Sequence, residues 1–277
     1  VFDDKNLPPL REVIRLHELR AEKALGQNFL LDQNLTDKIA RLAGDMSGKS
    51  VIEIGPGPGG LTRSLLRSEA RHVVAVEFDK RAVAALQDLV AAAEGRLTLL
   101  QDDALRCDLV AAAPSPRAIV ANLPYNISTV LLVNWLEMIR MDASVFSSLT
   151  LMFQKEVADR ILAQPGSKTY GRLSVIAQWL CQVKRVMELP PSAFTPPPKI
   201  DSTVVHFVPR ESAADWPRFA TVEKILAAAF QQRRKMIRSS LKEYATAMES
   251  TGLEQTLRAE DVSVEQYLAL ARAVEAA

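Results

Sequence analysis

The sequence predicts an α/β fold: a mostly parallel sheet covered by helices, with an antiparallel edge, followed by a small all-helical C-terminal domain. Three observations predict it. Short apolar runs of strand length alternate with helical stretches between residues 50 and 162. A glycine-rich turn, Gly55-Pro56-Gly57-Pro58-Gly59-Gly60, follows the first of those runs. From about residue 211 onward only helical periodicity remains. The expected domains are residues 1–210, with 1–25 as a helical arm, and 211–277.

Residues 9–24 read as an amphipathic helix, because Leu10, Val13, Ile14 and Leu16 recur at helical spacing among Arg and Glu, and Gly26 stops it. A second helix starts near Asp32, with Leu35, Ile39 and Leu42 on one face. Five strands are expected at 51–54, 73–77, 97–100, 118–121 and 149–153. Helices are expected at 61–67, 80–93, 131–139 and 155–162. Strands that alternate with helices form a parallel sheet covered on both faces, with right-handed crossovers. Segments 183–189 and 202–208 are rich in β-branched residues and flank a proline-rich stretch from Pro190 to Lys199, so they read as an antiparallel addition to the sheet edge. Helices at 222–230, 235–248 and 264–273 build the C-terminal domain.

Composition narrows the class. An apolar fraction of 48% with 24% charged residues is that of a soluble globular chain, and no apolar run approaches the length of a membrane span. The start, Val1 to Lys5, has no basic segment leading into an apolar stretch, so no secretory signal is expected. Cys107 and Cys181 fit a reducing compartment without a disulfide framework. With no Cys/His cluster, no metal site is expected, and His17, His72 and His206 sit in no catalytic motif. The net charge is only +1, so any nucleic-acid surface must be a local basic face.

Chemistry concentrates where strands are expected to end. The glycine turn lets backbone come close to a ligand. Glu77 ends the second strand and can accept hydrogen bonds from both hydroxyls of a ribose. Two ligand classes compete. A nicotinamide dinucleotide needs a pyrophosphate site, beside which Glu53, just before the turn, is awkward. S-adenosyl-L-methionine has no phosphate, and its ammonium suits Glu53. The third strand ends in Asp102-Asp103-Ala104, where a carboxylate can accept from an adenine amino group. The fourth is followed by Asn122-Leu123-Pro124-Tyr125, which offers a side-chain carbonyl, a backbone carbonyl and an aromatic face. That set fits a planar amino group such as adenine's.

The segments LGQNFLLD (25–32), EIGPGPGGLT (53–62), VEFD (76–79), QDDAL (101–105), NLPYNIST (122–129), FQKEVADRI (153–161), YGRLSV (170–175) and FTPPPKIDSTVV (194–205) resemble the KsgA/RsmA family of ribosomal RNA adenine dimethyltransferases. The resemblance implies a Rossmann-like class I methyltransferase sheet. It also implies that Asn28 and Leu30 close over the cofactor, that Gly55 and Gly57 contact its methionine part, and that Glu77 binds the ribose. Asp103, with Asp102 as the alternative, would hold the adenine amino group. Asn122 would lie beside both the transferred methyl and the target amine. Tyr125 would stack on the target base, with Phe194 closing its other face, and Pro124 would offer its carbonyl to the amine.

The expected activity is transfer of methyl groups from S-adenosyl-L-methionine, with S-adenosyl-L-homocysteine as product, to two adjacent adenines near the 3′ end of 16S-type RNA in a small ribosomal subunit precursor. No metal is expected. Arg233, Arg234, Lys235, Arg238 and Lys242 form an acid-free basic run; read as a helix it puts Arg234, Arg238 and Lys242 on one face, a candidate RNA contact. A monomer in the bacterial cytoplasm is expected, with the mitochondrial matrix as the second location. The alternatives are a large-subunit enzyme of the macrolide-resistance type and a non-catalytic assembly or transcription-associated factor. Leu123 speaks against DNA and protein substrates, for which Asn-Pro-Pro-Tyr is the more frequent form.

Overall fold

The structure, a computed structural model, describes residues 2–19 and 27–277. The expected end of the first helix, residues 20–24, and the expectations placed on Leu25 and Gly26 lie outside the described residues.

The main sheet has seven strands. Five are parallel: β2 (Ser50–Ile54), β3 (His72–Glu77), β4 (Leu97–Gln101), β5 (Arg117–Asn122) and β6 (Ser148–Gln154). Two more, β7 (Cys181–Leu189) and β9 (Ser202–Pro209), complete the order β4-β3-β2-β5-β6-β9-β7. A separate two-stranded ribbon pairs β1 (Phe29–Leu30) with β8 (Phe194–Thr195). β9 runs antiparallel to β6 and lies inside β7, although it follows β7 in the chain. Burial explains that exchange. Val204, Val205 and Phe207 of β9 are buried, whereas β7 exposes Gln182, Lys184 and Arg185 and suits an edge.

Val51, Ile52, Val73, Val74, Ile119 and Val120 are fully buried, as strands covered on both faces require. Each such Val or Ile contributes about 1.5–3 kcal/mol by leaving water. The helices of this part are α1 (Leu10–Leu16), α2 (Gln33–Leu42), α3 (Gly60–Arg67), α4 (Lys80–Ala85), α5 (Gln87–Ala92), α6 (Leu109–Ala112) and α7 (Ser128–Met141). Asp32 caps α2 by accepting from Asn34 N at 2.9 Å. The helix expected at 80–93 is interrupted at Leu86, but Leu86 N still donates to Ala82 O and Val90 N to Leu86 O, so the break is a local distortion.

The remaining helices are α8 (Lys155–Leu162), α9 (Arg172–Leu180), α10 (Phe219–Gln231), α11 (Ile237–Ser240), α12 (Ala245–Thr251) and α13 (Val264–Ala276). The chain divides into two compact units. One comprises Val1–Asn134, Ser144–Ala158 and Lys184–Val208; the other comprises Trp135–Ala143, Asp159–Val183 and Pro209–Ala277. The second unit thus adds two earlier segments to the C-terminal region. Arg140 shows why: its guanidinium donates to Trp216 O and Pro217 O at 2.7 and 2.9 Å and lies over the Trp179 and Trp216 rings. Helix α9, absent from the sequence expectation, brings Trp179 to that cluster, stacked on Phe219.

The helix expected at 235–248 is not continuous. Residues 232–235 form a turn, α11 is a single turn, and a 3-10 turn at Lys242–Tyr244 precedes α12. The cause is a competing backbone pairing with residues 255–258. Ile237 N donates to Leu257 O at 2.8 Å, Arg238 N to Gln255 O at 3.2 Å, and Met236 bridges to Arg258.

Candidate active site

The carboxyl ends of β2, β3, β4 and β5 open onto a cleft of about 250 Å³. Its lining contains Asn28, Leu30, Glu53, Gly55, Gly57, Glu77, Asp102, Asp103, Asn122, Pro124 and Tyr125. The sequence-predicted residues therefore converge, apart from Phe194 and the basic run.

The glycine turn is built for close approach. Gly55 and Gly57 have φ of +67° and +54°, a region that favours glycine. A Cβ on Gly57 would lie 2.8 Å from Phe29 Cε1, and one on Gly60 would lie 2.5 Å from Leu30 O. The segment expected to cover the cofactor thus rests directly on the turn. Gly57 N donates to Glu77 Oε2 at 3.1 Å, and Asp79 N donates to Glu77 Oε1 at 2.8 Å. These bonds fix the carboxylate, and each oxygen keeps acceptor capacity for a ribose hydroxyl. Burial raises the Glu77 pKa, opposed by the N–H groups of Asp79, Gly57 and Phe78.

Glu53 is 2% exposed, and its Oε2 has no hydrogen-bond partner. Desolvation raises its pKa to about 8 and the Glu77 charge adds to the rise; the Thr62 hydroxyl opposes it without completing a hydrogen bond of good geometry. An orphaned buried carboxyl oxygen in a cleft calls for a cation. Among the described residues, no Lys, Arg or His lines the cleft, while Glu53, Glu77, Asp102 and Asp103 do. Four acids and no base are hostile to a pyrophosphate. They suit a ligand with an ammonium, a sulfonium and a ribose, so the donor set fits S-adenosyl-L-methionine.

At the third strand end, Asp103 Oδ1 accepts from Leu105 N at 3.0 Å, and Asp102 Oδ1 accepts from Asp103 N at 2.7 Å. Both carboxylates shape the local turn and still face the cleft. Phe78 and Leu105, which the sequence reading passed over, also line it; they are 65% and 38% exposed, large apolar surfaces open at its mouth. The available signal was position: each closely follows an acid at a strand end.

On the acceptor side, Asn122 ends β5, and its Nδ2 donates to Asn28 O at 2.9 Å. Pro124 O accepts from Ile127 N at 3.2 Å, which leaves one lone pair of the carbonyl for another donor. The Tyr125 hydroxyl shares a 2.5 Å hydrogen bond with the Ser202 hydroxyl. Burial raises the Tyr125 pKa, and the Ser202 bond lowers it in part.

Phe194 lies outside the cleft lining. It is 3% exposed, sits opposite Leu30 in the β1–β8 ribbon, and belongs to the apolar core rather than the cleft lining. As direct partners in an antiparallel pair, Phe194 and Leu30 share one face of the ribbon, and Phe194 is buried beside the Leu30 that lines the cleft.

The basic run also divides. Arg233 is paired with Glu260 at 2.5 Å, and its guanidinium donates to the carbonyls of Ser167 and Lys168. Those bonds hold the second unit together and remove Arg233 from the free basic surface. Arg234, Lys235, Arg238 and Lys242 remain, spread over a turn and two short helical turns rather than along one helix face.

Among the described residues, no group of three His, Cys, Asp or Glu is placed to hold a metal ion, and no helix is long and apolar enough to cross a membrane.

Residues 18–275 match the family described as ribosomal RNA adenine dimethylase. The chain is 54% identical, over 98% of its own length and 98% of the relative's, to ribosomal RNA small subunit methyltransferase A of Ruegeria sp. strain TM1040. Among solved structures, it resembles a dimethyladenosine transferase from Plasmodium falciparum with a TM-score of 0.72 and 27% identity, covering 86% of this chain and 94% of that one. It resembles the 23S rRNA methyltransferase ErmE with a TM-score of 0.66 and 26% identity, covering 90% and 100%. The sheet order, the acidic cleft and these matches agree: the chain belongs to the ribosomal RNA adenine dimethylase family.

Proposed function

We propose that this enzyme transfers methyl groups from S-adenosyl-L-methionine to the exocyclic amino groups of two adjacent adenines near the 3′ end of small-subunit ribosomal RNA, giving dimethyladenosines. The observation that carries the reading is the leashed amide of Asn122 beside the Pro124 carbonyl, at the end of a cleft lined by acids.

When bound, S-adenosyl-L-methionine supplies an electrophilic methyl on a sulfonium. Glu77 holds its ribose, Glu53 its ammonium, and Asp103 or Asp102 its adenine amino group. Gly55 and Gly57 let the backbone approach, and Asn28 and Leu30 cover it. The target amine is a poor nucleophile because its lone pair is delocalised into the ring. Asn122 Oδ1 and Pro124 O accept its two hydrogens, which draws the nitrogen toward tetrahedral geometry and aims the lone pair at the methyl. Tyr125 stacks on the base, which must leave its own stack to enter. Catalysis is then positioning and electrostatics. The proton leaves to water after transfer, and no metal takes part. S-adenosyl-L-homocysteine is the product.

The small subunit is favoured over the large because the relative matching over 98% of both chains is named for the small subunit, whereas ErmE shares only 26% identity. Arg234, Lys235, Arg238 and Lys242 meet RNA phosphates, and the enzyme acts as a monomer in the bacterial cytoplasm on a subunit precursor. The test is transfer of labelled methyl to small-subunit particles, free small-subunit RNA and large-subunit RNA, with Asn122→Ala as control. Label on the small-subunit adenines alone supports the reading; label on the large subunit alone overturns it.

A further inference from the structure

Tyr125 stands in the turn after β5, not on a strand, and a ring on a turn can swing about its own bonds. Its backbone is held by Ser128 Oγ, which donates to Tyr125 O at 3.2 Å. Its far end is held by the 2.5 Å hydrogen bond to Ser202. Ser202 is fully buried and is the first residue of β9. Because β9 runs against β6, its first residue lies opposite Gln154, at the carboxyl end of β6. That is the edge where β5 ends in Asn122, itself opposite Met152. The antiparallel strand therefore delivers the hydroxyl of its first residue to the site edge. Its neighbour Asp201 is fixed there by accepting from Lys155 N at 2.9 Å.

We infer that Ser202 is a positioning residue for methyl transfer, holding the Tyr125 ring as a rigid face against which the acceptor adenine stacks. The inference rests on the function proposed above. Ser202 does not line the cleft and so acts through Tyr125. A buried hydroxyl costs stability unless it is hydrogen-bonded, and here the bond it makes is with the phenol that the base would meet. The backbone of Tyr125 and the hydroxyl end of its ring are thus held before the base arrives, and the ordering is not drawn from binding.

A double-mutant cycle tests this. Tyr125→Phe and Ser202→Ala each remove one hydroxyl of the same pair. Each single variant should lose about fivefold in kcat/KM for the RNA acceptor, the value of one ordinary hydrogen bond. The double variant should lose no more than either single one, and affinity for S-adenosyl-L-methionine should stay at the wild-type value. Stacking-induced quenching of RNA carrying 2-aminopurine at the target position should follow the same cycle, and it requires no transfer. Losses that multiply overturn the inference, as does a fall in cofactor affinity and thermal stability in step with activity. If Ser202→Ala does not fold, unchanged acceptor kinetics and quenching in Tyr125→Phe overturn it. Failure to label small-subunit RNA would sink the substrate reading instead, while the quenching cycle still decides the role of Ser202.

Discussion

The side-chain amide of Asn122 is oriented by the backbone of Asn28, whose carbonyl accepts from Nδ2 at 2.9 Å. With the amino end of the amide committed, Oδ1 is the end left for an incoming amine. Asn122→Ala should lower kcat on the order of 100-fold or more, the scale seen when one preorganised polar group is removed from a reaction centre. Asn122→Asp should fare little better, because a carboxylate oxygen would face the Asn28 carbonyl. Single-turnover transfer rates, measured with cofactor saturating, check both; a loss below tenfold would contradict the role.

Gly57→Ala should weaken cofactor binding at least tenfold. Its positive φ costs a non-glycine residue about 1–2 kcal/mol, and the added Cβ would meet Phe29 at 2.8 Å. Calorimetric titration with S-adenosyl-L-homocysteine is the measurement. An unchanged dissociation constant would show that the turn and residue 29 yield easily.

Glu53 should make cofactor binding proton-linked. Its pKa, raised by burial to about 8, keeps the free site protonated at neutral pH. An ammonium beside it favours the charged form, so binding should release a proton and affinity should rise from pH 6 to 8, then level. The effect on the unliganded fold has the opposite slope. The folded state holds this proton and the unfolded one gives it up above the ordinary value of 4.5, so stability falls as pH rises from about 4.5 to 8. Glu53→Gln should flatten both profiles and weaken binding. Titrations in buffers of different ionisation enthalpy read the proton directly.

Replacing Arg234, Lys235, Arg238 and Lys242 together with Gln should weaken RNA binding and reduce its dependence on salt, leaving thermal stability near wild type. Arg233→Gln should do the reverse. It breaks the ion pair with Glu260 and the bonds to residues 167 and 168. About 1 kcal/mol of stability should be lost, a figure reduced by partial exposure of the pair, with little change in salt dependence. Filter binding across salt concentrations and thermal melts separate the two.

Much of this site is legible in the sequence because its chemistry lies at strand ends. Gly55, Glu77, Asp103 and Asn122 each follow or close an apolar run, and parallel strands bring such ends to one edge. What escaped depends on pairings distant in the chain. Phe194 is buried next to Leu30 because β8 pairs with β1, residues far away in sequence. The basic run fails to form one helix because residues 255–258 take its backbone bonds, although its spacing was perfectly helical. Helix α9 was passed over because its buried residues, from Ser174 to Leu180, leave almost no polar face to mark a period. Ser202 carries no local signal, since its partner Tyr125 is reached only when β9 docks on β6.

The position of β9 has a consequence for biosynthesis. The glycine turn, Glu53, Glu77, Asp103, Asn122 and all five parallel strands have been made once residue 154 is joined. The partner of Leu30 in β8 and the partner of Tyr125 in β9 come only at residues 194 and 202. A chain leaving the ribosome therefore carries the residues that line the cofactor cleft before it carries the strands that pair with Leu30 and Tyr125. Until that last strand is inserted beside β6, the Tyr125 hydroxyl lacks the partner that anchors it in the finished fold.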